Sequence, residues 1–259
     1  MRTVPYTYGV DLPPFDSMHF QNRILAALPV SELVRLESAL HRVKLEPQQT
    51  LFAPWEPIDH VWFPEDAVVS VLSEVSEGAA VESAVVGRDG MVGLARFHGV
   101  ESAAERGVVQ VRGAAYRIGA DEFAALVAEL PGLRAELHRY AAALFTMAAQ
   151  SSGCNRRHSV EQRCARWLLT VHDRVGRDQF EVTQQVLAEM LGVRRATVSV
   201  AAAEMQRQGM IRYSRGRLTI VRREELETVS CGCYRVVHST FSRLFDGGAR
   251  ARSSEVASV

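Results

Sequence analysis

The chain has 259 residues, 47% apolar and 23% charged, which supports two modest folded domains and excludes a largely disordered chain. Its net charge is zero, yet residues 156–223 hold 14 arginines against six acidic side chains (+8), while residues 1–155 hold 12 basic against 19 acidic ones (−7). No apolar run approaches the roughly 20 residues of a membrane helix, and the first residues lack the basic-then-apolar order of a secretory signal, so a cytoplasmic protein with no membrane partner is expected.

In chain order, residues 1–19 contain prolines and tyrosines without periodicity and read as an N-terminal arm. Ile24, Leu25 and Leu28, then Leu33, Leu36 and Leu40, predict two short helices separated by Pro29, with Ser31 capping the second. Between positions 43 and 118 the pattern changes to short β-segments at 51–52, 60–63, 68–75, 81–86, 108–111 and 115–118. Turn residues separate them: Pro54, Pro57, Pro64, Glu77-Gly78, Arg88-Asp89-Gly90 and Gly113. This predicts a small β-roll or barrel spanning residues 20–130.

A long helix is expected over residues 131–158. Leu133, Leu137, Tyr140, Leu144 and Met147 recur in steps of four and three, the spacing of a coiled-coil seam, and Ala141, Ala142, Ala143, Ala148 and Ala149 allow close helix approach. The stripe therefore predicts a dimer interface, beside the alternative of an amphipathic helix packed on its own β domain. A further helix over 159–175 carries Val160, Cys164, Trp167, Leu168 and Val171 on one face and ends at Gly176. Residues 225–259 are expected to form a C-terminal helix followed, from 246, by a tail.

The most informative stretch is 183–200. The Thr183 hydroxyl is placed to cap a first helix, Leu187 and Leu191 face inward, and Ala188 is small where two helices cross. Gly192 supplies the backbone freedom for a tight turn, after which Val193, Val198 and Ala201 pack a second helix, about 194–208, on the first. That second helix presents Arg194, Arg195, Thr197 and Ser199 near its N-terminus, where arginine can donate two bonds to guanine and hydroxyls can bond phosphates or base edges. Thr183 and Gln184 stand beside it at the start of the first helix. Residues 211–220 alternate around Ser214-Arg215-Gly216 as a two-stranded hairpin, a wing whose Arg215 and Arg217 are placed to lie along a DNA backbone. A winged helix-turn-helix over 159–224, coinciding with the basic third of the chain, is the result.

With these elements in order, the sequence resembles the Crp/Fnr family of transcriptional regulators over residues 22–223, most strongly at Leu187-Ala188-Glu189-Met190-Leu191-Gly192-Val193 and Thr197-Val198-Ser199. The resemblance implies an α+β fold: an N-terminal β-roll of the cyclic-nucleotide-binding type, a long dimerisation helix and a C-terminal winged helix-turn-helix. It also implies a homodimer on palindromic double-stranded DNA, with RNA polymerase as a further partner, and no enzymatic activity. Where family members read DNA with an Arg-Glu pair and a second Arg one turn later, Arg195 matches the first position, but Ala196 and Val200 occupy the other two, which leaves open the alternative of a ligand- or redox-sensing protein with degenerate DNA reading.

In members that bind cyclic nucleotides, a Gly-Glu turn holds the ribose and a later Arg-Ser pair the phosphate. Here the effector candidates are Gly90, Met91 and Arg106. Met91 cannot accept a ribose bond, and Gly107 follows Arg106, so cyclic AMP is not expected. No cysteine precedes Cys154, which argues against the family's N-terminal iron-sulfur cluster, and no cofactor is predicted. Cys231 and Cys233 with His238, or Cys154 with His158, offer too few ligands as separate groups for a structural metal site, so the thiols are expected to be scattered and no metal is predicted. No nucleophile, acid or phosphate loop is set out as a catalytic constellation.

Overall fold

The computed structural model describes residues 20–76 and 79–256; the expected N-terminal arm and the Glu77-Gly78 turn lie outside the described residues. The first helix, α1 (Arg23–Ala26), starts at Asn22, whose Oδ1 accepts from the Ile24 and Leu25 amides at 3.1 and 3.3 Å. The buried Asn22 amide group also donates to the carbonyls of Pro64 and Gly90, at 2.8 and 2.9 Å, so one side chain fastens the helix to a strand end and to a turn. The second helix, α2 (Val30–Leu36), follows Pro29 directly. Ser31 lies inside it and does not cap it; the proline's fixed backbone already directs the chain into the helix.

Seven strands then form two antiparallel sheets. They are β1 (His41–Leu45), β2 (Thr50–Phe52), β3 (His60–Pro64), β4 (Val68–Ser76), β5 (Ala79–Val86), β6 (Arg106–Val111) and β7 (Gly113–Gly119). One sheet runs β1-β7-β3 and the other β2-β6-β4-β5, which gives the expected β-roll. The first strand has no counterpart among the expected segments, because its sequence, His-Arg-Val-Lys-Leu, is largely polar and exposed. It forms by pairing with β7 from His41 opposite Arg117 to Leu45 opposite Gly113.

After α3 (Ala120–Glu129) comes α4 (Pro131–Arg157), with proline in its first turn. Its N-cap, Leu130, has no side chain able to accept a hydrogen bond. Glu32 of α2 supplies one from about a hundred residues away, its two oxygens accepting from the amides of Gly132 at 2.7 Å and Leu133 at 2.8 Å. A carboxylate there also meets the positive end of the helix dipole.

The heptad stripe on α4 does not face outward. Leu133, Leu137, Tyr140 and Met147 are buried within the chain, in a core shared with α1, α2, the roll and the C-terminal helix α9 (Cys233–Val256). Tyr140 packs edge-on against Phe241 of α9, with ring centroids 6.3 Å apart. For this stripe the amphipathic-helix alternative holds, since heptad spacing specifies an apolar seam without specifying what fills it. The open face of α4 carries His138, Ala142, Phe145 and Ala149, flanked by the half-buried Ala141 and Ala148; Phe145 is 76% exposed. Residues 246–256, expected to be a tail, continue α9 as helix.

The C-terminal half comprises α5 (Val160–Val175), β8 (Gln179–Glu181), α6 (Gln184–Leu191), α7 (Arg195–Arg207), β9 (Ile211–Ser214), β10 (Arg217–Ile220) and α8 (Arg223–Val229). Ser159 and Gln162 form a reciprocal capping box at the start of α5, and Gly176 ends it in the left-handed region at φ 64°. This half does not hang free. Cys164, Trp167, Leu168 and Val171 of α5 share one continuous core with Val68, Leu72, Val85, Val108 and Val111 of the roll.

Polar contacts cross the same boundary. The Trp167 indole donates to Glu82 of β5, at 3.0 and 3.1 Å from its two oxygens, and the Ser70 hydroxyl lies 2.5 Å from the same carboxyl. Arg174 of α5 pairs with Asp89 at 3.0 Å, the two side chains being 4% and 12% exposed. A Cβ at Gly87 would overlap Arg174, so the loop approaches the helix as closely as glycine allows.

Burial pushes the Glu82 carboxyl up from 4.5 to about 7, against the opposing pull of its bonds to Ser70 and Trp167 and of Arg166 and Arg174 nearby. A raised carboxyl favours the folded state when protonated. Its contribution is complete below about pH 4.5 and is lost as pH rises through about 7, on the order of 3 kcal/mol in all. Glu82→Gln keeps an acceptor for Trp167 without the charge. Its unfolding free energy, followed by chemical denaturation at a series of pH values, is expected to lack the decline between pH 5 and 8 that the parent chain shows.

Candidate nucleic-acid interface

The first helix of the C-terminal motif, α6, is capped by Thr183, whose Oγ1 accepts from the Val186 amide at 3.2 Å. It ends at Gly192, which adopts φ 61° and ψ 41°. Space does not require glycine here: the nearest atom to a Cβ at this point would be Val81 Cγ2, at 3.7 Å. The backbone conformation does, because a side chain in the left-handed region meets the following carbonyl. Gly192→Ala is therefore expected to cost about 1–2 kcal/mol and Gly192→Asn less, read as the drop in unfolding free energy in denaturant.

The turn sends α7 across α6, and Val198, Ala201, Ala202 and Met205 bury one face of the second helix. The other face is open. Arg194, at the N-cap, and Arg195, Ala196 and Thr197 in the first turn are exposed, and Val200 is 72% exposed. Ser199 is half-buried, with its hydroxyl 2.6 Å from Gln184 Oε1 and 3.1 Å from the Arg195 carbonyl, so it ties the start of α6 to α7.

The wing differs from expectation by one strand. β9 and β10 pair from Arg217 opposite Ser214 to Ile220 opposite Ile211, around a turn in which Arg215 and Gly216 both have positive φ, 49° and 76°. The order is β8-β10-β9, so the wing is three-stranded. Three residues, Gln179–Glu181, are too few to show alternation in a sequence. Tyr213 reinforces the sheet by donating its hydroxyl to the Val182 carbonyl at 2.8 Å, and burial pushes that phenol well above its usual range.

The partition of arginines decides what this surface offers. Arg163 donates to the Leu191 carbonyl at the end of α6, and Arg174, Arg177, Arg207, Arg222 and Arg223 are held by acidic partners. Among the described residues no ion pair engages Arg194, Arg195, Arg212, Arg215 or Arg217, all exposed and all on α7 or the wing. Apart from Arg156 and Arg157, which are exposed at the end of α4 with no ion pair among the described residues, the exposed positive surplus of this segment lies on α7 and the wing. Arg212 was absent from the sequence expectations, although the alternation of Ile211, Arg212 and Tyr213 points it outward.

Residues 162–229 match the family model described as a Crp-like helix-turn-helix domain. The chain has the Crp/Fnr fold. Three solved structures show how far the likeness extends. FixK2 from Bradyrhizobium japonicum aligns with a TM-score of 0.63 at 15% identity, over 74% of this chain and 98% of that one. A CRP-family transcriptional regulator from Thermus thermophilus, TTHB099, aligns with a TM-score of 0.57 at 17% identity, over 73% and 96%. CLP from Xanthomonas campestris, a c-di-GMP-responsive global regulator, aligns with a TM-score of 0.54 at 15% identity, over 74% and 99%. Comparison with curated protein sequences gives no match. No helix among the described residues is long and apolar enough to cross a membrane.

The Gly90 carbonyl accepts from Asn22, the Met91 carbonyl accepts from the Tyr140 hydroxyl at 3.0 Å, and a Cβ at Gly90 would overlap the Tyr140 ring. This turn is packed between α1, α4 and α5. The Met91 side chain lines a cavity of about 350 Å³ between the roll and α4, walled by Phe52, Val86, Leu94, Leu144 and Phe145, with His98 and Glu105 as its ionisable groups. Arg106, in β6, is not part of that wall.

The expectation of scattered thiols fails. Cys154 and His158, one turn apart at the end of α4, meet Cys231 and Cys233, which flank Gly232 between α8 and α9. The fold unites two half-sets that sequence spacing keeps 77 residues apart. His238, the expected companion of Cys231 and Cys233, packs on Tyr234. Hydrogen bonding between Cys154 and Cys231 raises the Cys154 thiol and lowers that of Cys231.

Proposed function

We propose that the chain is a homodimeric, sequence-specific DNA-binding regulator of transcription that acts in the cytoplasm and places α7 of each subunit in successive major grooves. The observation that carries this reading is the set of free arginines at the exposed N-terminus of α7 and on the wing, while most others in the basic segment are engaged within the chain. A helix N-terminus attracts phosphate, arginine pairs with guanine O6 and N7, and the wing's Arg215 and Arg217 are disposed to meet the backbone. Thr183, Gln184 and Thr197 join this surface, and Ser199 positions Gln184. Ala196 and Val200 offer only apolar contact, which suits a thymine methyl group.

Dimerisation is assigned to the open face of α4, where Phe145 stands among alanines small enough for two helices to approach closely. Half-sites about one helical turn apart follow from a twofold axis along that face. The roll cavity does not favour a cyclic nucleotide, because Glu105 and His98 are the ionisable groups in its wall and no arginine among the described residues lines it to pair with a phosphate.

Selection of random duplexes with the purified chain is expected to enrich one palindrome. On that site, Arg194→Ala and Arg195→Ala should each weaken binding by roughly 10- to 100-fold, and Arg217→Ala should weaken all duplexes alike and flatten the salt dependence. Unchanged affinity in both α7 variants would overturn the assignment of the reading helix. Phe145→Arg should yield a folded monomer by light scattering with normal circular dichroism. A dimer of undiminished stability would move the interface elsewhere.

A further inference from the structure

The four clustered donors at the end of α4 take no part in the surface assigned to DNA, and their arrangement stands apart from that reading. Cys154 Sγ, His158 Nδ1, Cys231 Sγ and Cys233 Sγ all lie within 4.8 Å of one another. Two edges of this figure are fixed by name: Cys154 Sγ to Cys231 Sγ is 3.4 Å and Cys233 Sγ to His158 Nδ1 is 3.6 Å. With a metal–sulfur bond near 2.3 Å and a metal–nitrogen bond near 2.0 Å, a tetrahedron has sulfur–sulfur edges of about 3.8 Å and sulfur–nitrogen edges of about 3.5 Å. The donors are thus already grouped around one centre. Ligands of a two-iron cluster are divided between two metals, which so small a figure does not accommodate.

We propose that Cys154, His158, Cys231 and Cys233 form a closed Cys3His zinc site that ties the last turn of α4 to the start of α9. The donor set selects the ion, since thiolates with an imidazole in a tetrahedron suit zinc, whereas calcium and magnesium take oxygen ligands. Spacing supplies part of the geometry. Residues 154 and 158 share a face because they are one helical turn apart, and the short link between α8 and α9 brings Cys231 and Cys233 to the same point.

The surroundings fit as well. The three cysteines are buried while His158 is half-exposed, which leaves an approach for the ion. Gln150, one turn before Cys154, donates its Nε2 to Cys233 Sγ at 3.1 Å, the outer bond that orients a ligating sulfur. All four positions are protein ligands, so the site is structural or regulatory and leaves no place for a substrate. Binding displaces the remaining thiol protons to solvent. The ion would then fix α9 beside the junction of α4 and α5, from which the DNA-binding half departs.

The test uses the full chain, reduced, stripped of metal, loaded with zinc and freed of excess by gel filtration. Elemental analysis is expected to find one zinc per chain, and titration of the stripped protein with Co2+ should give the intense visible bands of tetrahedral thiolate coordination. Cys233→Ser and His158→Ala should lose stoichiometric binding, while Cys164→Ser, a buried thiol outside the cluster, should retain it. Gln150→Ala should weaken zinc by about 10- to 100-fold in competition with a chelating dye. Substoichiometric zinc in the parent chain, weak octahedral cobalt bands, or a Cys154–Cys231 disulfide in protein isolated without oxygen would each overturn the proposal. The parent chain's own cobalt spectrum decides the matter even where a ligand variant fails to fold.

Discussion

Trp167 is the residue on which the rest of the arrangement hangs. Its ring is buried where the outer face of the β2-β6-β4-β5 sheet meets α5, and its single polar atom is satisfied by Glu82 of the roll. Burying an indole of this size is worth a few kcal/mol. Desolvating the carboxylate that receives its N–H costs a comparable amount, which is why Glu82 is driven towards its neutral form. The junction therefore holds firmly only when its acid is protonated or its neighbouring cations compensate. Arg174 and Asp89 add a buried ion pair at the same boundary, and such a pair favours one relative orientation more than it adds stability.

From that junction the two faces of α4 take different tasks. One face completes the hydrophobic core with α1, α2 and α9, and its N-terminus is closed by Glu32 from a distant part of the chain. The opposite face keeps small residues and Phe145 in the open. A helix used on both sides leaves little freedom for its neighbours, and the thiol cluster at its far end places a second constraint where α9 begins.

Much of the fold was legible wherever the signal is local. Ser159, Gln162 and Gly176 mark α5 through capping chemistry, and Thr183, Ala188 and Gly192 mark the helix-turn-helix through a single turn geometry. Elements whose cause lies elsewhere in the chain were not legible. β1 exists because β7 offers it a ladder, β8 because β10 does, and neither carries an alternating pattern of its own. The seam on α4 was visible as a stripe, but its partner was not, because the residues of α9 that fill it lie about a hundred positions away. The cysteines illustrate the same limit: each pair was visible, and only the tertiary fold shows that they share one centre. Among the arginines, composition revealed the surplus, whereas the acidic partners that neutralise much of it had to be located in space.

The shared core of the roll and the C-terminal half bears on how a twofold assembly would meet a duplex. A recognition helix on a flexible tether can swing to suit several spacings between half-sites. Here α6 and α7 are seated on the sheet through α5, so their direction is inherited from the roll and, through it, from α4. In the proposed dimer the distance separating the two reading helices would be dictated by the angle at which the paired α4 helices cross. Spacer length would then be selected some distance from any base, by the size of the alanines on which those helices rest.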